Sequence, residues 1–348
     1  RTRFRFAGNP DAKGKGRGGS PGPGGVSTKS DNKPEKLFGN KWENPRECVA
    51  FKLVGEVAPP GTRWQYCLTD ESRRSFAAHL PCFLNEAQCK DFFERVRDNT
   101  NWIQPEGRNG PIPRKTAWMV KQGCKCTYRY GGIEVDPMEY PQWMIELLQL
   151  CMPACGLQDV NEWPDSCNMN LYEDGGMSVG WHSDDERLFQ GKFRDIIIIS
   201  LSLGVKRKFE LRVNFPEEGE RELSRVMLGN GDLMTMEGML QKHFQHRVPK
   251  ENNIEGPRIN LTWRWVVKHA PRCPAGRARD PGLPRSFLTT PKPLPPVPAQ
   301  GAPPEQGQTG PAPGQTAPAP PGPPTGFPAM MPTSKAQAPA MLLSQKIP

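Results

Sequence analysis

Polar and apolar residues in this chain follow two different periods, and the change falls near residue 166. Before it, helical spacing occurs twice. Cys89, Phe92, Phe93 and Val96 recur at i, i+3, i+4 and i+7, which predicts a helix over residues 85–98. Asn85 is suited to cap it, and Gln88 three residues later completes a capping box. Met144, Leu147, Leu148 and Cys151 form a second stripe, in a helix over residues 141–151 that Pro153 and Gly156 stop. Residues 48–54 and 62–67 are expected to pair as a hairpin across Pro59-Pro60-Gly61, and residues 111–130 to run as loop, strand and loop. After residue 166 the alternation has period two. Asn168, Asn170 and Tyr172 share one face, and Met169 and Leu171 the other. Residues 195–203 are apolar on both faces and so predict a central strand. Residues 208–213, 231–238, 243–248 and 258–267 are further extended runs. About eight short antiparallel strands with turns between them make the fold mainly β with packed helices, a double-stranded β-helix or jelly roll with its core over residues 166–268.

Composition narrows the folded part. Residues 1–50 are rich in Gly, Lys and Arg, and residues 270–348 in Pro, Ala, Gly and Gln. Neither end carries enough apolar surface to offset the entropy of ordering it, so both are expected as disordered tails flanking one domain over residues 51–269. The net charge of +9 is uneven: +6 in the first 50 residues, +5 after residue 269 and −2 between. Basic tails suit a polyanion such as nucleic acid and equally suit plain solvation. The Pro-rich tail could serve as a linker or as a ligand for a peptide-recognition domain. The ten cysteines read mainly as free thiols of a reducing compartment, with the nucleus or cytoplasm as the expected location. Cys124-x-Cys126 and Cys151-x3-Cys155 have metal-like spacing, but the first lacks the two-residue gap of common zinc knuckles and the second falls at a helix end. No apolar run approaches the roughly 18 residues of a membrane span. A monomer is expected.

The candidate chemistry centres on Trp181-His-Ser-Asp-Asp-Glu186. In extended chain His182 and Asp184 point to one face. One imidazole and one carboxylate, with a second imidazole from elsewhere, make the facial triad of a non-haem Fe(II) oxygenase. His243 and His246 are both in place to supply it, and their odd separation allows only one to ligate. On the last strand Arg258, Asn260, Thr262 and Arg264 share a face opposite Ile259, Leu261, Trp263 and Trp265. Arginine forks match carboxylates, so this polar face fits a pocket for a dicarboxylate as well as it fits water. Arg114, Trp118 and Tyr128 lie in a stretch where cations and aromatics mix, as they do where a phosphate backbone is gripped and a base stacked.

Taken in order, Trp181-His-Ser-Asp-Asp-Glu186, His246-Arg-Val-Pro249 and Arg258-Ile-Asn-Leu-Thr-Trp-Arg264 resemble the AlkB family of Fe(II)/2-oxoglutarate dioxygenases, over roughly residues 80–268. Asn170-x-Tyr172 is similar to that family's co-substrate strand. The runs Ile198-Ile-Ser-Leu-Ser-Leu-Gly204, Met236-Glu-Gly238 and Phe244-Gln-His-Arg-Val-Pro-Lys250 resemble the branch of the third homologue. The resemblance implies His182, Asp184 and His246 around Fe(II). It implies Asn170, Tyr172, Arg258, Asn260, Thr262 and Arg264 around 2-oxoglutarate, and Asp185 and Glu186 beside the target base. Met119 stands where a Tyr is expected in the nucleotide-recognition lid, and Trp263 replaces a more usual Phe. The implied activity uses O2 to remove N-methyl groups, as in 1-methyladenine and 3-methylcytosine, from single-stranded DNA or RNA. The same chemistry on a tRNA or mRNA modification or on a protein, and a non-catalytic nucleic-acid-binding module, are the rival readings.

Overall fold

The computed structural model describes residues 43–107, 110–220, 223–277 and 282–294. Most of the expected basic arm and the Pro-rich chain after residue 294 lie outside the described residues.

Two sheets face one another. The larger has eight strands in the order Gln65–Asp70, Ser75–Leu80, Asp232–Gly238, Ile196–Gly204, Arg258–Arg264, Ser166–Tyr172, Lys115–Val120 and Pro137–Glu139. The smaller has four, in the order Val179–His182, Phe244–Val248, Arg207–Val213 and Leu223–Leu228. This is the expected double-stranded β-helix. Ile196–Gly204 is central, paired with Asp232–Gly238 on one side and Arg258–Arg264 on the other.

The period-two pattern sorts the core into two layers. Met169, Leu171, Leu201, Ile259, Leu261 and Trp263 point outward and pack against the helices Glu86–Asp98 and Gln142–Ala154. Asn85 caps the first helix as expected, accepting from the Gln88 N–H at 2.9 Å, while the Gln88 carbonyl accepts from the Asn85 N–H at 3.0 Å. The second helix runs to Ala154, one residue past Pro153. Ile196, Ile198, Phe209, Leu211, Met234, Met236 and Phe244 fill the space between the sheets. The pocket occupies the part of that space not filled by apolar groups.

Three expectations are corrected. The hairpin pairs Gln65–Asp70 with Ser75–Leu80, not residues 48–54 with 62–67. Its turn is held by Asp70, whose Oδ1 accepts from the Ser72 hydroxyl at 2.6 Å and the Arg73 N–H at 2.9 Å. Residues 48–54 instead lead from a short 3-10 turn at Arg46–Val49 into a helical turn at Val54–Val57. His243 ends a helical turn, Leu240–His243, and the strand begins only at Phe244. The boundary at residue 269 also moves. Cys273 and Phe287 are buried, and Phe287 joins the main core beside Phe51 and Val54. The Phe287 carbonyl accepts from the Lys52 N–H, and the Thr289 N–H donates to the Ala50 carbonyl, each at 2.9 Å. A few large apolar groups in a Pro-rich stretch are enough to dock it.

Glu237 makes the first prediction. It is fully buried under the Val54–Val57 turn, accepting from the Thr235 hydroxyl at 2.5 Å and the Val54 N–H at 2.9 Å. Burial pushes its carboxyl up to about 7. A carboxyl raised above its unfolded value adds stability in acid and loses it as pH rises through the folded value. Glu237→Gln is therefore expected to match the parent near pH 5 and to exceed it above pH 7 by up to roughly 3 kcal/mol. Urea midpoints at the two pH values measure this, and a difference that does not grow with pH would refute it. No helix among the described residues is long and apolar enough to cross a membrane.

Candidate active site

Register builds the site. Val179–His182 pairs with Phe244–Val248 so that His182 lies directly opposite His246. Their rings are 4.2 Å apart between centroids. Asp184 follows two residues after His182, and its Oδ1 lies 3.6 Å from His182 Nε2 and 3.8 Å from His246 Nε2. Of the two histidines left open by spacing, His246 joins the group, while His243 turns its Nε2 to Glu43 at 2.8 Å. His182 Nδ1 contacts the Gly180 carbonyl at 2.8 Å. A carbonyl only accepts, so Nδ1 carries the proton and Nε2 keeps its lone pair for a ligand. Burial keeps both imidazoles neutral: His182 is pushed down, and His246 to about 3 with help from His182. Phe209 stacks on His246 at 5.4 Å.

Burial alone would raise the Asp184 carboxyl, but the Arg264 guanidinium outweighs it and holds it below the usual range. Arg264 Nη2 donates to Asp184 Oδ2, and Arg264 Nη1 to the Tyr128 hydroxyl at 3.2 Å. The Tyr128 hydroxyl in turn donates to Glu186. Burial, then the neighbouring Asp184 charge, pushes Glu186 up to about 7. The Gln241 side-chain carbonyl accepts from the Asp184 N–H at 2.8 Å.

The floor is a polar stripe across three neighbouring strands. Asn168, Thr262 and Ser200 lie in one row, and Asn170, Asn260 and Ser202 in the next. Tyr172 lies opposite Arg258. Arg114 Nε donates to Asn170 Oδ1 at 2.8 Å. Arg258 is buried behind the Tyr172 ring and donates through Nη2 to Ser202 Oγ at 2.8 Å. Its Nε and Nη1 are buried without an acceptor, and burial pulls its pKa down to about 10. With Arg264 Nε, His246 Nδ1, Glu186 Oε2 and the Tyr130 hydroxyl, six of the nine buried unpaired side-chain polar atoms among the described residues lie on pocket-lining residues or, for Arg258, directly behind one. Groups desolvated without partners are costly unless something arrives to pair with them. A metal fits the three ligand atoms, and an anionic co-substrate fits the unpaired guanidinium nitrogens.

The pocket has a volume of about 880 Å³, and its lining includes His182, Asp184, His246, Asn170, Tyr172, Asn260, Thr262, Arg264, Arg114, Tyr128, Asp185 and Glu186; Arg258 is outside the lining, behind Tyr172. Trp118 is absent from the lining. It is fully buried, stacks on Tyr128 at 4.9 Å and donates Nε1 to the Cys126 carbonyl, so it supports Tyr128 and cannot reach a base. Met119 likewise packs in the outer core, because Thr116–Val120 is buried on both faces. Asp185 lines the pocket but is paired with Lys192. Sequence reasoning missed Lys192, Gln241, Phe209 and Ser200. Ser200 sits in the Ile198–Gly204 run without a role assigned to it there; Ser200 and Phe209 reach the site on strands, Gln241 from the Leu240–His243 turn and Lys192 from the loop after Glu186.

The 2OG-Fe(II) oxygenase superfamily model matches residues 76–264. The mouse alpha-ketoglutarate-dependent dioxygenase alkB homolog 3 is 33% identical over 204 residues, covering 55% of this chain and 68% of that protein. The chain belongs to the AlkB family of 2OG-Fe(II) oxygenases. The bovine alpha-ketoglutarate-dependent dioxygenase alkB homolog 3 is 35% identical over 195 residues, covering 53% of this chain. The chain spans 64% of the length of that bovine relative. The Arabidopsis thaliana DNA oxidative demethylase ALKBH2 is 27% identical over 267 residues, covering 69% of this chain and 82% of that protein. Membership brings Fe(II), 2-oxoglutarate and O2 as the cofactor and co-substrates, and the His-Asp-His group suits the metal.

Proposed function

We propose that the chain is an oxidative demethylase that removes N-methyl groups from bases such as 1-methyladenine and 3-methylcytosine in single-stranded DNA or RNA. The observation that carries this reading is the side-by-side placement of the His-Asp-His group and an acid, Glu186, in one pocket walled by Tyr128 and floored by polar side chains. Two of the relatives, a dioxygenase and a DNA oxidative demethylase by name, support the reading.

In it, His182, Asp184 and His246 hold the iron through Nε2, a carboxylate oxygen and Nε2. Arg258, buried behind Tyr172, would offer its unpaired nitrogens to a carboxylate of 2-oxoglutarate, and Asn170, Tyr172, Asn260 and Thr262 would line the space beside it. Arg264 orients Asp184 and presents positive charge at the other end. Bound iron and 2-oxoglutarate supply the oxidation of the methyl C–H bond. The balance is one N-methyl group, 2-oxoglutarate and O2 going to N–H, formaldehyde, succinate and CO2. Both named lesions are cationic, and two acids, Asp185 paired with Lys192 and Glu186 bonded to Tyr128, line the pocket that would receive them, with Arg114 in the wall nearby. The base must leave its stack to enter, which costs least in single strands.

Anaerobic loading with Fe(II) and 2-oxoglutarate, followed by O2 and single-stranded oligonucleotides bearing either lesion, tests the proposal by mass spectrometry. Methyl loss that needs both additions is expected. Succinate without methyl loss would move the substrate elsewhere, and neither product from iron-loaded protein would end the enzymatic reading.

A further inference from the structure

A second cluster of metal-ligating groups lies outside the pocket. Cys124 and Cys126 come from the loop before the Tyr128–Tyr130 strand, and His269 and Cys273 from the chain just after the last strand. Composition assigned these two segments to different fates, one to a loop of free thiols and the other to the start of a tail. The fold brings their four ligand atoms within 4.8 Å of one another.

The distances are those of a tetrahedron. Cys124, Cys126 and Cys273 place Sγ at 3.7, 3.5 and 3.4 Å from His269 Nδ1, and the Cys124 and Cys273 sulfurs are 3.8 Å apart. Four ligands around zinc, with Zn–S about 2.3 Å and Zn–N about 2.0–2.1 Å, stand about 3.8 Å apart between sulfurs and about 3.5 Å between sulfur and nitrogen. The Cys124–Cys273 separation is nearly twice a disulfide bond, so these thiols are not poised as a bridge. The three cysteines are 1–6% exposed and His269 is half-buried, so the sulfurs are shielded from solvent. Backbone N–H groups already point at the sulfurs, Ala270 to Cys126 at 3.2 Å and Lys125 to Cys273 at 3.3 Å. Such donors stabilise thiolate charge and orient the ligands.

We propose that Cys124, Cys126, His269 and Cys273 bind a structural zinc ion. Three soft thiolates and one imidazole in a closed tetrahedral shell select zinc over the oxygen-seeking ions and differ in kind from the His-Asp-His group. The ion ties the end of the last strand to the loop that leads, two residues after Cys126, into Tyr128. Trp118 Nε1 bonds the Cys126 carbonyl at the same place. The zinc therefore anchors the base of the pocket wall from outside.

Zinc content and X-ray absorption of the full chain, purified reduced, test this without any activity readout. Expected is about one zinc per chain that survives chelation strong enough to empty the iron site, with three sulfur and one nitrogen neighbours at about 2.3 and 2.0 Å. The zinc should be lost in Cys124→Ser/Cys273→Ser and kept in Asp184→Asn. Wild-type zinc with only nitrogen and oxygen neighbours, no zinc at all after growth in zinc-supplied medium, or full zinc retention by the double variant would each overturn the proposal. Should the double variant fail to fold, the wild-type spectrum alone decides.

Discussion

Asp184→Asn is expected to lower methyl removal by at least about a hundredfold, because outer partners of metal ligands alone are worth 10–100-fold and Asp184 is proposed as a ligand itself. The substitution keeps the shape of the side chain and removes its charge. That charge does two things in the fold. It faces two neutral imidazoles, and it compensates the buried Arg264 guanidinium. Removing one partner of a buried ion pair typically costs about 3–5 kcal/mol, so the variant is also expected to melt lower. His246→Asn separates the two effects. It removes a neutral ligand, leaves the Asp184–Arg264 pair intact, and is expected to lose iron with a smaller fall in stability. Bound iron, turnover and thermal midpoint should be measured together on both variants. Turnover near the parent's in an Asp184→Asn protein would sink the proposed ligand set.

Arg258→Gln is expected to move two quantities in opposite directions. Two guanidinium nitrogens of Arg258 are buried without an acceptor, and burial already pulls the group's pKa down to about 10. In the protein without co-substrate this arginine is a desolvated cation, so its removal should leave stability unchanged or raise it. For a dicarboxylate it is the binding group. A charge-assisted hydrogen bond contributes about 1.5–3 kcal/mol, which corresponds to roughly a ten- to hundredfold rise in KM for 2-oxoglutarate. At saturating 2-oxoglutarate kcat should change little, because Arg258 is not among the proposed iron ligands. A KM equal to the parent's would show that the co-substrate binds elsewhere.

The His-x-Asp pair and the polar face of the last strand are legible because each depends only on the two-residue period of a strand. What lies across from them is not. Nothing local says that His182 pairs with His246, or that Arg264 spends its fork on Asp184 and Tyr128, because these are facts of register between strands far apart in sequence. Trp118 and Met119 illustrate a second limit. Alternation predicts an inner and an outer face, but the Lys115–Val120 strand is covered on both, so an aromatic assigned to the pocket stands behind it. Pro59-Pro60-Gly61 illustrates a third. Its turn signal reads as joining two strands, whereas the hairpin lies further on, at a turn fastened by the Asp70 side chain. Cys273 was hidden by composition, since Pro, Gly and Arg around it lower the mean hydropathy while the thiol itself is buried.

The docking of residues 282–294 against Phe51 and Lys52 bears on how the protein is made. The ribosome delivers the chain from its N-terminus, and long-range contacts must wait for both partners. The groove around Phe51 and Val54 is synthesised early but receives Phe287 only after every strand of both sheets has emerged. Until then it exposes apolar surface on a nascent chain, which is the kind of surface chaperones hold. A messenger truncated at the compositional boundary would yield a barrel complete in its strands yet lacking both Cys273 and Phe287. Such a product should fold slowly, aggregate readily and be cleared early, although every residue of the candidate active site is present in it.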